Sequence, residues 1–406
     1  MVSVIRLLCR LLLVLMLTIA FFANVSAEKM DDYCDKCKNT GKIECKIHGA
    51  DWVKPPYTSS AIIEHECGCC GIGWTVCAKK TCPKREEAQK LFDSETAPLK
   101  AWLNARRAAV EGVAFADKPK LKDIKALHVE TKHFYLSGTF RKRVIEYLYK
   151  GMIKKKTLSP AESIHLYAER IEDIYSRYLK MLKYEGDYYP KFTDKWKLMV
   201  WDKDAQQEAA SFKFCGFTNT AGAKVDAVLY TTWDSDDDVY LHHKLAHAIT
   251  NLITDDYGGV QEYFPDWFRE ATAHWIEYDI FTELRIFTAG EGGFDANCPT
   301  RKLKSTIRKE VKSGSKRIKP LTEIINKKIM DISGWERLKC WSVVDWMATG
   351  RDDKCVEKLL LDFKQNYPAN KQQGPSFRRV FDMTPDEIDE VWAAWVLETY
   401  PPEEDD

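Results

Sequence analysis

VYLHHKLAHAITNL, residues 239–252, and PDWFREATAHWIEY, residues 265–278, are two stretches that carry metal-binding side chains at helical spacing. His243 and His247 stand four apart, so on a helix both imidazoles project from one side and can reach a single cation. Glu270 can close such a site with a carboxylate from a second helix. On a helical wheel Leu241, Leu245, Ala248, Ile249 and Leu252 form the buried stripe, and His243, His247 and Thr250 take the opposite side. Lys244 follows the first histidine, where hydrolysis would need a base to deprotonate a metal-bound water. An ammonium cannot do that at neutral pH.

Around this pair the chain reads as an α+β protein, with a small cysteine-rich module, a helical connector, then a sheet and a mainly helical second half. With 406 residues, 45% of them hydrophobic, it can bury a substantial core. Lys plus Arg and Asp plus Glu are equal at 61 each, so no net field favours nucleic acid. The first residues have the layout of a secretory signal: Arg6 and Arg10, an apolar run from Leu11 to Ala23, and Val25-Ser26-Ala27 before Glu28. The run falls short of the roughly 20 residues of a spanning helix. Export to the cell envelope, the periplasm or the medium is expected, without stable membrane insertion after cleavage; an uncleaved anchor is the alternative. The organisation expected is a signal peptide over 1–27, the cysteine-rich module over 28–84, the connector over 85–120, the main domain over 121–400 and an acidic tail over 401–406.

Eight of the 13 cysteines fall between Cys34 and Cys82. Cys34 with Cys37, Cys45 with His48, Cys67 with Cys70, and Cys77 with Cys82 make four ligand pairs, enough for two tetrahedral zinc sites. Gly41, Gly71 and Gly73 allow the tight turns that point amides at sulfur. A disulfide framework is the competing reading for an exported chain, although His48 can take no part in one. The pairing of the ligands is open at this stage. The layout resembles the cysteine-rich region of DnaJ-type chaperones, with Cys67–Gly73 the full match to its repeat; the resemblance implies metal binding, not chaperone activity.

Further on, His128–Phe140 reads as strand and turn, and Ser159-Pro160-Ala161-Glu162 as a capped start for a helix whose stripe runs Ile164, Tyr167, Ala168, Ile171, Ile174, Tyr175 and Tyr178. Trp196–Trp201 and Val225–Thr232 are strand candidates. Helices are expected over Leu321–Met330, Gly334–Ala348, Val356–Asn366 and from Thr384-Pro385-Asp386-Glu387 onward. The basic stretch Arg301–Lys319 reads as a solvated helix and loop.

Trp267, Glu270, Ala271 and Ala273 occupy places similar to those of the segment that supplies the third zinc ligand in gluzincin metallopeptidases, the aminopeptidase-type branch of the MA-like peptidases. The resemblance covers about residues 125–398. It implies a zincin-like domain with His243, His247 and Glu270 as ligands of a third zinc ion and a peptide or protein as ligand. Lys244 stands where that family has its catalytic Glu, and the gap from His247 to Glu270 is longer than in the aminopeptidases. Three functions follow: a pseudopeptidase that binds or scaffolds, an active peptidase with Glu262 or His274 as substitute base, or helix packing that keeps the motif without the metal.

Overall fold

The computed structural model describes residues 35–38, 40–44, 74–114, 126–140, 142–149, 152–185, 195–203, 205–206, 209, 223–225, 228–232, 238–258, 264–286, 299–370 and 373–402, and the fold is α+β. The leader expected over 1–27 lies outside the described residues, as do Cys34, Cys45, His48, Cys67, Cys70 and Glu262. Among the described residues no helix is long and apolar enough to cross a membrane. The chain divides into two compact units with a boundary between Ala105 and Arg106, inside the helix α1 (Arg85–Ala114).

In the first unit β1 (Lys42–Glu44) pairs antiparallel with β2 (Trp74–Val76), Lys42 opposite Val76. Gly41 enters β1 with φ +70°, and a Cβ there would lie 2.4 Å from the carbonyl oxygen of Lys84. Only glycine fits both that conformation and that approach. Its own carbonyl accepts from the Cys77 amide at 2.8 Å, which ties the two cysteine-bearing turns together.

The second unit is built on a five-stranded sheet with the order β3 (Leu127–Glu130), β4 (Phe134–Gly138), β7 (Trp196–Trp201), β9 (Val228–Thr232), β8 (Ala223–Val225). The β4–β7 and β7–β9 pairs are parallel, and both edges are antiparallel. The segment read as one strand over Val225–Thr232 is the end of β8 and all of β9, paired as an antiparallel edge. A separate antiparallel pair, β5 (Arg143–Tyr149) and β6 (Met152–Leu158), leads into α2 (Pro160–Met181). The Ser159–Glu162 capping box starts α2 as expected, and every residue of its predicted stripe is at most 1% exposed. That stripe covers β3 and β4.

Behind α2 come α3 (Asp238–Gly258) and α4 (Asp266–Phe281), then the helical half: α5 (Leu303–Lys312), α6 (Leu321–Ile324), α7 (Gly334–Thr349), α8 (Cys355–Asn370), α9 (Gly374–Phe381) and α10 (Pro385–Thr399). The helix expected over Leu321–Met330 stops at Ile324 and is followed by a 3₁₀ turn over Ile329–Asp331. Tertiary bonds account for the break, since the Ile329 amide donates to Asp266 at the head of α4 and Lys327 pairs with Glu336 at the head of α7. α9 was not anticipated from the sequence; it starts where Pro375 follows Gly374.

α3 packs against both α2 and α4, and α4 packs in turn on α7. The helical-wheel division of α3 into a core side and an opposite side therefore fails: His243, His247 and Thr250 are as fully buried as Leu245 and Ile249, at 0% exposure. A helix with neighbours on two sides has two buried faces, and polarity on one of them must then be satisfied internally. Deleting the Ile171 side chain at the α2–sheet contact, as Ile171→Ala, should cost about 2–5 kcal/mol in a denaturant titration, while Lys197→Ala on the exposed side of β7 should stay within about 0.5 kcal/mol.

Candidate metal centre

Glu277 lies two turns beyond Glu270 on α4 and is completely buried. Its Oε1 accepts from the backbone amides of Arg285 and Ile286 at 2.7 and 3.1 Å and lies 2.7 Å from His243 Nδ1. Its Oε2 lies 3.7 Å from His247 Nδ1. Burial pushes this carboxyl's pKa up, but the hydrogen bonds with His243 and His247 outweigh it and hold it down at about 2. It is therefore an anion in the core, and both histidines of the α3 motif turn their Nδ1 toward it.

The opposite nitrogens face other carboxylates. His247 Nε2 lies 2.9 Å from Glu270 Oε2, and His243 Nε2 lies 3.7 Å from Glu283 Oε1. Arg269 and Asn251 engage the other oxygen of Glu270, at 3.2 to 3.3 Å, which leaves Oε2 directed at His247. The His243 ring is stacked on Phe281 with centroids 3.6 Å apart, so its direction is set by packing. His243 Nε2 is buried and has no hydrogen-bond partner among the described residues.

His274 is drawn into the same cluster. It is fully buried, its ring centroid lies 4.9 Å from that of His247, and its Nε2 lies 3.3 Å from the Ile286 carbonyl oxygen. The ligand atoms of His247, His274 and Glu277 converge within 4.8 Å of one another, close enough to hold a metal ion. Of the three ligands expected from the resemblance, His247 belongs to this group; Glu270 touches His247 from the other ring edge, and His243 reaches the group through Glu277. His274, named from the sequence as a substitute base, is thus fully buried within the group itself. Glu277 was missed by the sequence reading, although a glutamate seven residues after Glu270 falls on the same helix face and carries that signal.

Lys244 is half-buried, between the buried His243 and Leu245. His242, immediately before His243, is held near pKa 2, first by burial and then by the charges of Arg170, His243 and Arg177, and its ring lies edge-on to Phe281. It is neutral. A narrow crevice between α4 and α7, lined by Trp267, Glu270, His274, Arg337 and Cys340 among others, has no room for a water molecule.

In the first unit Cys37, Cys77 and Cys82 are buried and their sulfurs converge within 4.8 Å, a second group able to hold a metal ion. The β1–β2 pairing causes this, since it sets the turn before β1 against the turn after β2. Cys37 of the first expected ligand pair therefore shares one site with both members of the fourth, Cys77 and Cys82. Cys37 Sγ and Cys82 Sγ lie 3.5 Å apart. A disulfide needs about 2.05 Å, and two thiolates on one tetrahedral zinc are about 3.8 Å apart.

Compared with the known protein families and with curated proteins, the chain matches none.

Two measurements follow. Native mass spectrometry of the full chain should show bound metal that is lost on denaturation, and Cys77→Ser should remove one ion; a mass lower by two hydrogens per cysteine pair with no metal would contradict the thiolate site. The second concerns pH. Burial, reinforced by the charge of His247 and opposed by Glu277 and Glu270, lowers the His274 pKa to about 4 from the ordinary 6.5. Between those values the unfolded chain binds a proton that the folded chain rejects, so stability rises with pH across that window. Metal-stripped protein should have this contribution in full above pH 6.5 and lose roughly 3 kcal/mol of it by pH 4, and His274→Gln should flatten the slope.

Proposed function

We propose that the protein is an exported zinc-binding protein whose second unit keeps a metallopeptidase-like pair of helices without the base for hydrolysis, and that it acts by binding or scaffolding a peptide or protein ligand. The observation that carries this reading is Lys244: it follows a histidine whose Nδ1 is oriented by a buried carboxylate, as metal-ligating histidines are, yet it brings a cation where a proton acceptor is required. The donor set fits zinc. Imidazole and carboxylate oxygen at the α3–α4 cluster, and thiolate in the first unit, are the ligands zinc takes in tetrahedral sites.

When bound, zinc in the thiolate site would hold together a small unit with few apolar residues, and zinc at the helix cluster would neutralise the buried carboxylates. Glu277 holds the imidazole of His243 in one orientation. Arg269 and Asn251 do the same for Glu270. Burial of His243, His247, His274 and Glu277 at 0% exposure, together with the tight crevice beside His274, leaves little space at the described surface for a peptide to reach them.

One observation favours a second reading, an active peptidase with an atypical base: His274, a candidate substitute base, lies within the cluster itself, with its ring centroid 4.9 Å from that of His247. Two experiments decide. Metal counting on His247→Ala should show one ion fewer than the parent while the cysteine-held metal remains. A peptide-library assay should show no chelator-sensitive cleavage by the parent protein, and Lys244→Glu is the variant in which cleavage should first emerge. Brisk cleavage by the parent, abolished by a chelator and by His274→Gln, would replace this proposal with the second reading.

A further inference from the structure

We propose that the helix-site ion is bound on the Nδ1 edges of His247 and His274 together with Glu277 Oε2, and that Glu270 and His243 serve this site as positioning residues. This assignment rests on the reading of the cluster as a metal centre. It moves the ion to the edge of His247 opposite Glu270, whereas the gluzincin resemblance makes Glu270 a ligand.

The proton positions on the two rings follow from what stands at Nε2. His247 Nε2 lies 2.9 Å from Glu270 Oε2, and an ionised carboxylate only accepts, so the ring proton is on Nε2. His274 Nε2 lies 3.3 Å from the Ile286 carbonyl oxygen, again a pure acceptor, with the same consequence. Each neutral imidazole then directs the lone pair of Nδ1 into the core, where both Nδ1 atoms are buried. The ligand atoms of the two rings and of Glu277 converge there within 4.8 Å. On the Glu277 carboxylate, Oε1 is taken by the Arg285 and Ile286 amides and by His243 Nδ1. Oε2 has none of these donors and lies 3.7 Å from His247 Nδ1. Two nitrogen lone pairs and an anionic oxygen thus face one another away from water, an arrangement that a cation between them stabilises. The 3.7 Å separation is close to the roughly 3.4 Å between two light-atom ligands of a tetrahedral ion with bonds of about 2.0–2.1 Å.

The same ruler separates Glu270 from the ligands. Its 2.9 Å approach to His247 Nε2 is a hydrogen-bond distance, shorter than the spacing of two ligands on one such ion. Arg269 and Asn251 hold its Oε1, so Glu270 orients His247 from outside the site as carboxylates do behind metal-bound imidazoles. His243, stacked on Phe281, donates from Nδ1 to Glu277 Oε1 and orients that carboxylate in turn. An ion bound in this way has a structural part, since it joins α3 through His247 to α4 through His274 and Glu277. The crevice beside His274 has no room for a water molecule, and a His274 ring that ligates through Nδ1 and donates from Nε2 keeps no lone pair for a general base.

The test uses the full chain. Nitrogen NMR of the zinc-loaded, histidine-labelled parent, which needs no substitution, should show His247 and His274 protonated on Nε2, with both Nδ1 signals moving when a chelator removes the metal. Either ring protonated on Nδ1 instead would overturn the assignment. In zinc competition against a chromophoric chelator, His274→Gln should weaken the helix-site ion by more than about 100-fold, beyond the 10–100-fold that outer partners contribute. Glu270→Gln, whose amide oxygen still accepts from His247 Nε2, should stay within about 10-fold of the parent. Any other order of these two variants, with the ion still lost in His247→Ala, would overturn this inference and leave the metal-centre reading standing. A helix-site ion absent from the parent, or retained in His247→Ala, would overturn both.

Discussion

An ionised carboxylate taken out of water costs several kcal/mol unless donors replace its hydration, and Glu277 sits at 0% exposure. The chain meets that requirement with the Arg285 and Ile286 amides, which lie just past the end of α4, and with His243 of α3, all on Oε1, while His247 stands 3.7 Å from Oε2. One side chain thus joins two helices to the turn that follows them. The rest of the site is arranged around that anion: both imidazoles present their Nδ1 edges to it, so their other edges are presented to Glu270 and Glu283. Removing any one donor leaves the charge undercompensated, which makes this group the most sensitive point of the helix pair.

Packing converts that local chemistry into a rigid arrangement. α2, seated on β3 and β4, supports α3 from one side, and α4, backed by α7, supports it from the other. Trp275 of α4 donates to Asp345 of α7 at 3.0 Å, and Tyr400 donates to the other oxygen of the same carboxylate at 2.9 Å, so the end of the chain is fastened to the helix that backs the histidine cluster. Ser342 links Tyr400 and Trp392 in the same network. These contacts hold the ligand-bearing helices in register through satisfied buried polar groups, a form of cohesion with less tolerance for substitution than apolar packing.

The first unit reaches metal-binding geometry by a different route. Among its described residues Cys37, Cys77 and Cys82 form a buried cluster with Ile43 packed against it. Two three-residue strands cannot stabilise themselves in water. Three converging sulfurs and the positive φ of Gly41 make the turns on either side of β1 and β2 mutually dependent, so ligand geometry and backbone geometry are there one constraint.

Much of this was written in local sequence. The Ser159–Glu162 and Thr384–Glu387 capping boxes, the α2 stripe and the four-residue spacing of His243 and His247 each act within one or two helical turns, where backbone geometry alone relates the residues. The Cys77–Cys82 pair and the glycine at 41 were legible for the same reason. What local spacing cannot carry is the meeting of segments distant along the chain. The partnership of Cys37 with Cys77 and Cys82 depends on strand pairing, the break after Ile324 on bonds to Asp266 and Glu336, and the burial of the histidine face on α4 closing over α3. The orientation of each imidazole depends on which carboxylate lies beside which nitrogen. The sequence determined that histidines, carboxylates and a lysine would share two helices; only tertiary packing decided that Glu277 would stand behind the rings and Glu283 before them, because a side chain's partner is set by three-dimensional proximity and the exclusion of water, neither of which is a property of spacing along the chain.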